Sequence, residues 1–178
     1  MRPRRKLPST SPHTSAFDLE LLTNERAQNA FRCGSESLER YLRETARGHL
    51  AKRVSITRVL VERNAVRPKP ILGYFTLTST LAKAVNWPGA AKGLPDRPVP
   101  IVLLGRLAVA EVWQGKQIGK LLMAAAREVA AASMRGAGGI GLAVDPADEQ
   151  VVPFYARYGF VRVEENSLRM FLPLDSLC

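Results

Sequence analysis

A chain of 178 residues, 46% of them hydrophobic, is long enough to bury a single core of ordinary size, and most of it should fold. The net charge of +10 resides in two segments: residues 1–6 carry four basic and no acidic side chains, and residues 32–69 carry ten basic against four acidic, a bias that favours a polyanionic partner. Two distant cysteines, Cys33 and Cys178, and two histidines, His13 and His49, offer no metal-type spacing and no disulfide framework, and no apolar run approaches the roughly 20 residues of a bilayer span.

Residues 1–16 are rich in proline, hydroxyls and cations and read as a basic, disordered tail ahead of a single domain over 17–178. No apolar stretch follows the first cations as a secretion signal would require, so the expected compartment is the cytoplasm. Phe17 to Leu22 alternates as a first strand. Ser35 then caps a helix whose apolar side is Leu38, Tyr41, Leu42, Thr45 and His49. Its other side aligns Arg40, Arg43 and Arg47, for which Glu36–Arg40 and Glu39–Arg43 are ordinary i,i+4 pairs.

Ser55–Glu62 and Pro70–Leu81 read as strands joined by a turn, and residues 86–100, dense in proline and glycine, as a loop. Ile101–Val109 is a central strand, with a bulge or close backbone approach expected at Gly105. The strongest helical pattern runs from Ile118 to Met134, with Leu121, Leu122, Ala125, Val129 and Ala132 as its buried stripe and the glycines after Arg135 as its stop. A short strand over Ile140–Val144, a helix over Asp148–Tyr158 and one or two strands within Val161–Pro173 close the chain. The order implies a mixed sheet flanked by helices.

The stretch Trp113 to Leu122, WQGKQIGKLL, stands where a strand becomes a helix. The first amides of a helix lack intrahelical acceptors and lie at the positive end of its dipole, a setting suited to a diphosphate. Gly115 and Gly119 allow backbone to approach a ligand, and Lys116 and Lys120 can add full charges. A structural turn would use the same glycines.

The segment from Leu104 to Leu122 resembles the acetyl-CoA-binding motif of the GNAT N-acetyltransferases, with Gln114 and Gly119 at motif positions and Gln117 in place of a glycine. About forty residues later, Pro153-Phe-Tyr-Ala-Arg-Tyr-Gly-Phe160 resembles the second hallmark of that superfamily. The resemblance covers Phe17 to Leu177 and implies a mixed, mostly antiparallel sheet with a parallel splayed pair. It implies that Leu107 and Val109 present backbone groups to the pantetheine arm of acetyl-CoA. Gln114, Gly115, Lys116, Gln117, Ile118, Gly119 and Lys120 would surround the diphosphate, and Tyr155 would assist the departing thiolate, with no metal. A side chain at 117 is tolerated if it points outward, whereas a positive φ there would strain glutamine.

Chemistry narrows the acceptor. A lysine amine, pKa ~10.4, must lose a proton at a cost of about 4.6 kcal/mol at pH 7 and benefits from a base. An α-amine, pKa ~8, needs less help, and esterification of its carboxyl lowers its basicity further. The strand Thr76 to Leu81 carries no carboxylate or histidine, Ala110 cannot act as a base, and Glu111 is the nearest carboxylate. The segments Phe31–Leu42, Gly73–Leu77 and Leu104–Val109, with Asp148 ahead of the tyrosine, resemble more narrowly the GNAT toxins of toxin–antitoxin systems, although Ala110 replaces their usual aspartate. That resemblance implies acetylation of aminoacyl-tRNA, tRNA contacts from Arg40, Arg43, Arg47, Lys52 and Arg53, and silencing by a ribbon-helix-helix antitoxin, with a homodimer left open. Two other readings stand beside it: acetylation of a small amine or protein N-terminus, and a domain that binds coenzyme or nucleic acid without turnover.

Overall fold

The computed structural model describes residues 16–22 and 26–177, so the tail expected over 1–16 lies, apart from Ala16, outside the described residues. Seven strands form one sheet in the order β1-β2-β3-β4-β5-β7-β6. They are β1 (Phe17–Leu21), β2 (Ile56–Glu62), β3 (Ile71–Ala82), β4 (Val99–Val109), β5 (Gly141–Val144), β6 (Val161–Arg162) and β7 (Met170–Pro173). Every neighbouring pair is antiparallel except β4 and β5. This is the mixed sheet that the order of elements implies, with the parallel pair that the resemblance implies.

The parallel pair is short. It holds only from Val102–Leu142 to Leu104–Val144, where β5 ends, while β4 runs on to Val109 beside β3 alone. At that point the register between β3 and β4 slips: Thr76 faces Arg106 and Leu77 faces Leu104, which leaves Gly105 unpaired as a bulge. One extra residue inverts the alternation of side chains along β4. Val102 and Leu104 lie in the core beneath helix α3 (Ile118–Ala137). Beyond the bulge Leu107 and Val109 take over that face, while Ala108 joins Tyr41, Leu42, Ala46, Val59 and Tyr74 in a second core on the opposite side.

The second core is covered by α1 (Glu36–Arg40), a π turn (Tyr41–Thr45) and α2 (Ala46–Ala51). The inserted residue of the π turn rotates the later face by one position, so Ala46 is fully buried while the expected Thr45 and His49 are only half-buried. Ser35 occupies the N-cap position, but its side chain makes no cap bond. Glu39 serves this end instead, accepting from the amides of Cys33 at 2.9 Å and Gly34 at 3.2 Å. That engagement removes the expected Glu39–Arg43 pair.

Helix α3 lies on the sheet through Ile118, Leu122, Met123, Ala126, Ala130, Ala131 and Met134. Of the stripe read from the sequence only Leu122 is fully buried; Leu121, Ala125 and Val129 are half-buried and Ala132 is exposed. An alanine-rich helix gives little contrast between faces, and the apolar residues at 118, 122, 126, 130 and 134 define the tighter row. Gly73 lets this helix seat closely: a Cβ there would stand 2.6 Å from Leu122 and 2.7 Å from the Ala108 carbonyl oxygen. The helix expected over 148–158 is shorter, α4 (Val152–Ala156), because the Asp148 carboxylate accepts from the Gln150 and Val151 amides and holds the preceding residues as a turn.

Candidate active site

Two strand ends and two helix ends converge where β4 outruns β5. The amide of Ala110 donates to the Leu72 carbonyl at 2.8 Å, so alternation along the strand turns the amides of Leu107 and Val109 away from β3, toward the edge that β5 leaves free. Both side chains are half-buried on the α3 face. The chain then passes through a short 3-10 turn (Glu111–Trp113) into α3.

Gly115 has a φ of +74° and Gln117 a φ of 64° with a ψ of 8°, the left-handed conformation that the sequence marked as straining at this position. Gln117 is exposed, and its carbonyl accepts from Lys120 at 3.1 Å and Leu121 at 3.2 Å. The amides of Gly115, Gln117, Ile118 and Gly119 find no acceptor among the described residues. A left-handed residue directly before a helix turns these donors toward one spot, and nothing lies within 4 Å of a Cβ built on Gly115. The donor set fits a diphosphate.

The side chains around the nest divide their work. Gln114 does not point into it: Nε2 donates to the carbonyls of Cys33 and Val109, each at 3.1 Å, and so ties the loop to the segment before α1. Lys116 lies with Nζ 5.0 Å from the Trp113 ring centroid, and Lys120 is exposed on the first turn of α3. Ile118 is buried under the sheet and contributes only its backbone. At Gly119 the nearest atoms to a built Cβ are the Phe154 ring at 3.7 Å and Val109 Cγ2 at 3.8 Å, so β4, α3 and α4 meet at this glycine.

Tyr155 follows Phe154 on α4 and is 7% exposed, its ring edge-on to Phe154 and Phe160. Its hydroxyl has no hydrogen-bond partner among the described residues, yet it is not one of the fully enclosed polar atoms. Burial pushes its pKa up to about 12, so it stays a neutral donor at any physiological pH. Tyr158 is half-buried against Phe154 and packs.

On the opposite face of the sheet the structure places hydroxyls and cations. Thr57 and Thr76 are buried and share a hydrogen bond of 3.0 Å, and Tyr41 shares one of 3.2 Å with Ser55. Ala110 is buried, and Glu111 is exposed close to Gly34. Arg40, Arg47, Lys52 and Arg53 are exposed, whereas Arg43 is half-buried and bonds the neighbouring Glu44 at 3.1 Å. Arg106, which the sequence pointed to only as part of a motif, lies with Cζ 3.6 Å from the centroid of Tyr41. Its signal in the sequence was an arginine inside an apolar strand, directly after the lone glycine. Among the described residues no group of His, Cys, Asp or Glu could hold a metal ion, and no helix is long and apolar enough to cross a membrane.

This geometry can be set beside known proteins. The chain is 30% identical over 148 residues to a tRNA-acetylating toxin of Mycobacterium tuberculosis, covering 80% of this chain and 83% of that protein. It superposes on the crystal structure of a tyrosine-to-phenylalanine mutant of KacT with a TM-score of 0.82 at 27% identity, covering 91% of this chain and 97% of the other. It superposes on AtaT complexed with acetyl-methionyl-tRNAfMet with a TM-score of 0.80 at 27% identity, covering 90% and 96%. Residues 70–162, the stretch holding the splayed strand, the amide nest and Tyr155, match the family described as the acetyltransferase (GNAT) domain. With a family match over more than half of its length and a relative covered over four fifths, the chain belongs to the GNAT acetyltransferase family.

Proposed function

We propose that this acetyltransferase is a toxin that acetylates the α-amino group of aminoacyl-tRNA, thereby blocking translation, and that a ribbon-helix-helix antitoxin silences it. The observation that carries this reading is the likeness, over nine tenths of the chain, to AtaT complexed with acetyl-methionyl-tRNAfMet, joined to the similarity to the mycobacterial tRNA-acetylating toxin. AtaT is also known bound to its antitoxin AtaR and acetyl-CoA. A tRNA substrate implies work in the cytoplasm.

In this reading the amides of Gly115, Gln117, Ile118 and Gly119 hold the coenzyme diphosphate, with Lys116 and Lys120 adding charge from the rim. The free edge of β4 at Leu107 and Val109 hydrogen-bonds the pantetheine arm. Gln114 keeps the loop in register. When bound, acetyl-CoA supplies the acetyl group as a thioester. Tyr155 meets the thiolate charge as it develops. With its pKa near 12, surrender of the proton to a thiolate of pKa ~8.5 would be uphill by about 5 kcal/mol. Tyr155 therefore works by hydrogen bonding rather than by finished proton transfer. The acceptor side holds the buried hydroxyls of Thr57 and Thr76, Ala110 cannot act as a base and the adjacent Glu111 is exposed, an environment that suits an amine already neutral in solution. Arg40, Arg47, Lys52 and Arg53 are exposed for tRNA phosphates, with Arg43 beside them.

The test is acetyl transfer from labelled acetyl-CoA to a panel of charged tRNAs and, separately, to small amines and peptide N-termini. Transfer to charged tRNA is expected to dominate and to fall steeply between low and moderate salt. Transfer to small amines alone would overturn the reading.

A further inference from the structure

The bulge at Gly105 has a consequence for substrate binding. Without it, Arg106 would share the parity of Val102 and Leu104 and point into the core beneath α3; with it, Arg106 emerges on the other face. There it is half-buried, lies flat over Tyr41 at 3.6 Å, and forms no ion pair or hydrogen bond among the described residues. Tyr41 is itself fixed from below, buried and bonded to Ser55 at 3.2 Å. Arg106 is the second residue past the last rung of the β4–β5 pair, so it stands at the opening between the strands. The amide nest and Tyr155 belong to the α3 side of the sheet, and Arg106 to the α1 side.

A half-buried guanidinium held flat over an aromatic ring, with its five donors unmatched by any carboxylate among the described residues, is placed to donate to an anionic ligand. In the proposed reading the diphosphate of the coenzyme lies at the nest on the other face. An acceptor must reach the thioester from the side the coenzyme leaves open, and that side is the one Arg106 faces.

We propose that Arg106 is a substrate-binding residue that grips the phosphodiester next to the terminal nucleoside of the acceptor, and so registers the α-amine at the gap between β4 and β5. The inference rests on the proposed acetylation of aminoacyl-tRNA. It requires that the enzyme distinguish an acceptor carrying that one phosphate from an acceptor without it, and that the distinction depend on the planar fork of arginine.

The experiment compares two acceptors, an amide-linked aminoacyl-nucleoside and the same compound extended at its 5′ oxygen by one cytidylate, alongside charged tRNA. Wild-type kcat/KM is expected to favour the extended compound by about tenfold or more, the scale of a charge-assisted hydrogen bond. Arg106→Gln should abolish that preference through KM while binding acetyl-CoA as wild type does, and Arg106→Lys should restore part of it. Equal activity of the wild type on the two compounds would overturn the proposal without needing any variant. A preference that survives in Arg106→Gln, or weakened acetyl-CoA binding in that variant, would also overturn it. If the wild type acetylates neither compound nor charged tRNA but does acetylate small amines, the reading of the function fails and the proposal falls with it.

Discussion

The side-chain amide of Gln114 donates to the carbonyl oxygens of Cys33 and Val109, each at 3.1 Å, so one exposed glutamine joins the coenzyme loop both to the end of β4 and to the segment that leads into α1. Both acceptors are carbonyls, and only a donor can satisfy them. Gln114→Ala should cost about 1 kcal/mol of stability and raise the Kd for acetyl-CoA several-fold by loosening the loop. Gln114→Glu should be worse than alanine, because a carboxylate would face two carbonyl oxygens. Calorimetric titration with acetyl-CoA checks the order; equal affinity in wild type and Gln114→Glu would remove the brace.

Gln117 carries the left-handed conformation that aims the nest, at φ 64°. For a non-glycine residue that conformation costs roughly 1–2 kcal/mol, while glycine loses more entropy on folding, about 0.5–1 kcal/mol. Gln117→Gly should therefore be neutral to slightly stabilising and keep coenzyme affinity. Gln117→Val, with its branched Cβ, should lower Tm and affinity together. Thermal unfolding with and without acetyl-CoA reads both. A tenfold loss of affinity in Gln117→Gly would mean that the glutamine side chain itself binds.

Much of this was legible in the sequence because it is local. Alternation marked β1, β-branched and aromatic residues marked β2 and β3, an apolar run with a lone glycine marked β4 and its bulge at Gly105, and the missing motif glycine marked Gln117 as the strained position. What was not legible depends on partners far along the chain. Gln114 resembled a diphosphate ligand, but its partner Cys33 is 81 residues away. The π turn at Tyr41–Thr45 leaves no local signature and shifted the buried face of that helix from Thr45 to Ala46. The orientation of Arg106 follows from a register slip against β3 and is invisible until the two strands are paired.

Alkaline conditions test the burial of the phenols. Burial raises the pKa of Tyr155 to about 12 and that of Tyr74 further, the latter with its hydroxyl donating to the Leu38 carbonyl at 2.8 Å. In the unfolded chain both ionise near pH ~10. Since the folded pKa values lie higher, the unfolded state gives up protons first. Stability is complete below pH ~10 and falls as pH rises toward ~12, by about 3 kcal/mol for Tyr155 alone. Tm measured across this range should drop, and less steeply in Tyr155→Phe. An identical slope in the variant would show the phenol already ionised in the fold.

The same phenol bears on the rate. Tyr155→Phe removes a hydroxyl that has no partner among the described residues and keeps the ring that packs on Phe154 and Phe160, so stability below pH ~9 should change by less than about 0.5 kcal/mol. Coenzyme binding should persist, because the nest is made of residues 115–119. Turnover should fall about a hundredfold or more, the scale of a positioned donor to developing charge. The pH profile separates this role from acid catalysis by an ionising group. With a stable amide-linked acceptor, wild-type kcat/KM should rise to a plateau set by the acceptor amine, near pH ~8 or below, and stay flat past pH ~10, where an ordinary tyrosine would titrate. Moving to an acceptor of different amine basicity should displace the rise and leave the plateau. A descending limb near pH ~10 that disappears in Tyr155→Phe would show the hydroxyl titrating in the working enzyme, against a neutral donor held by burial.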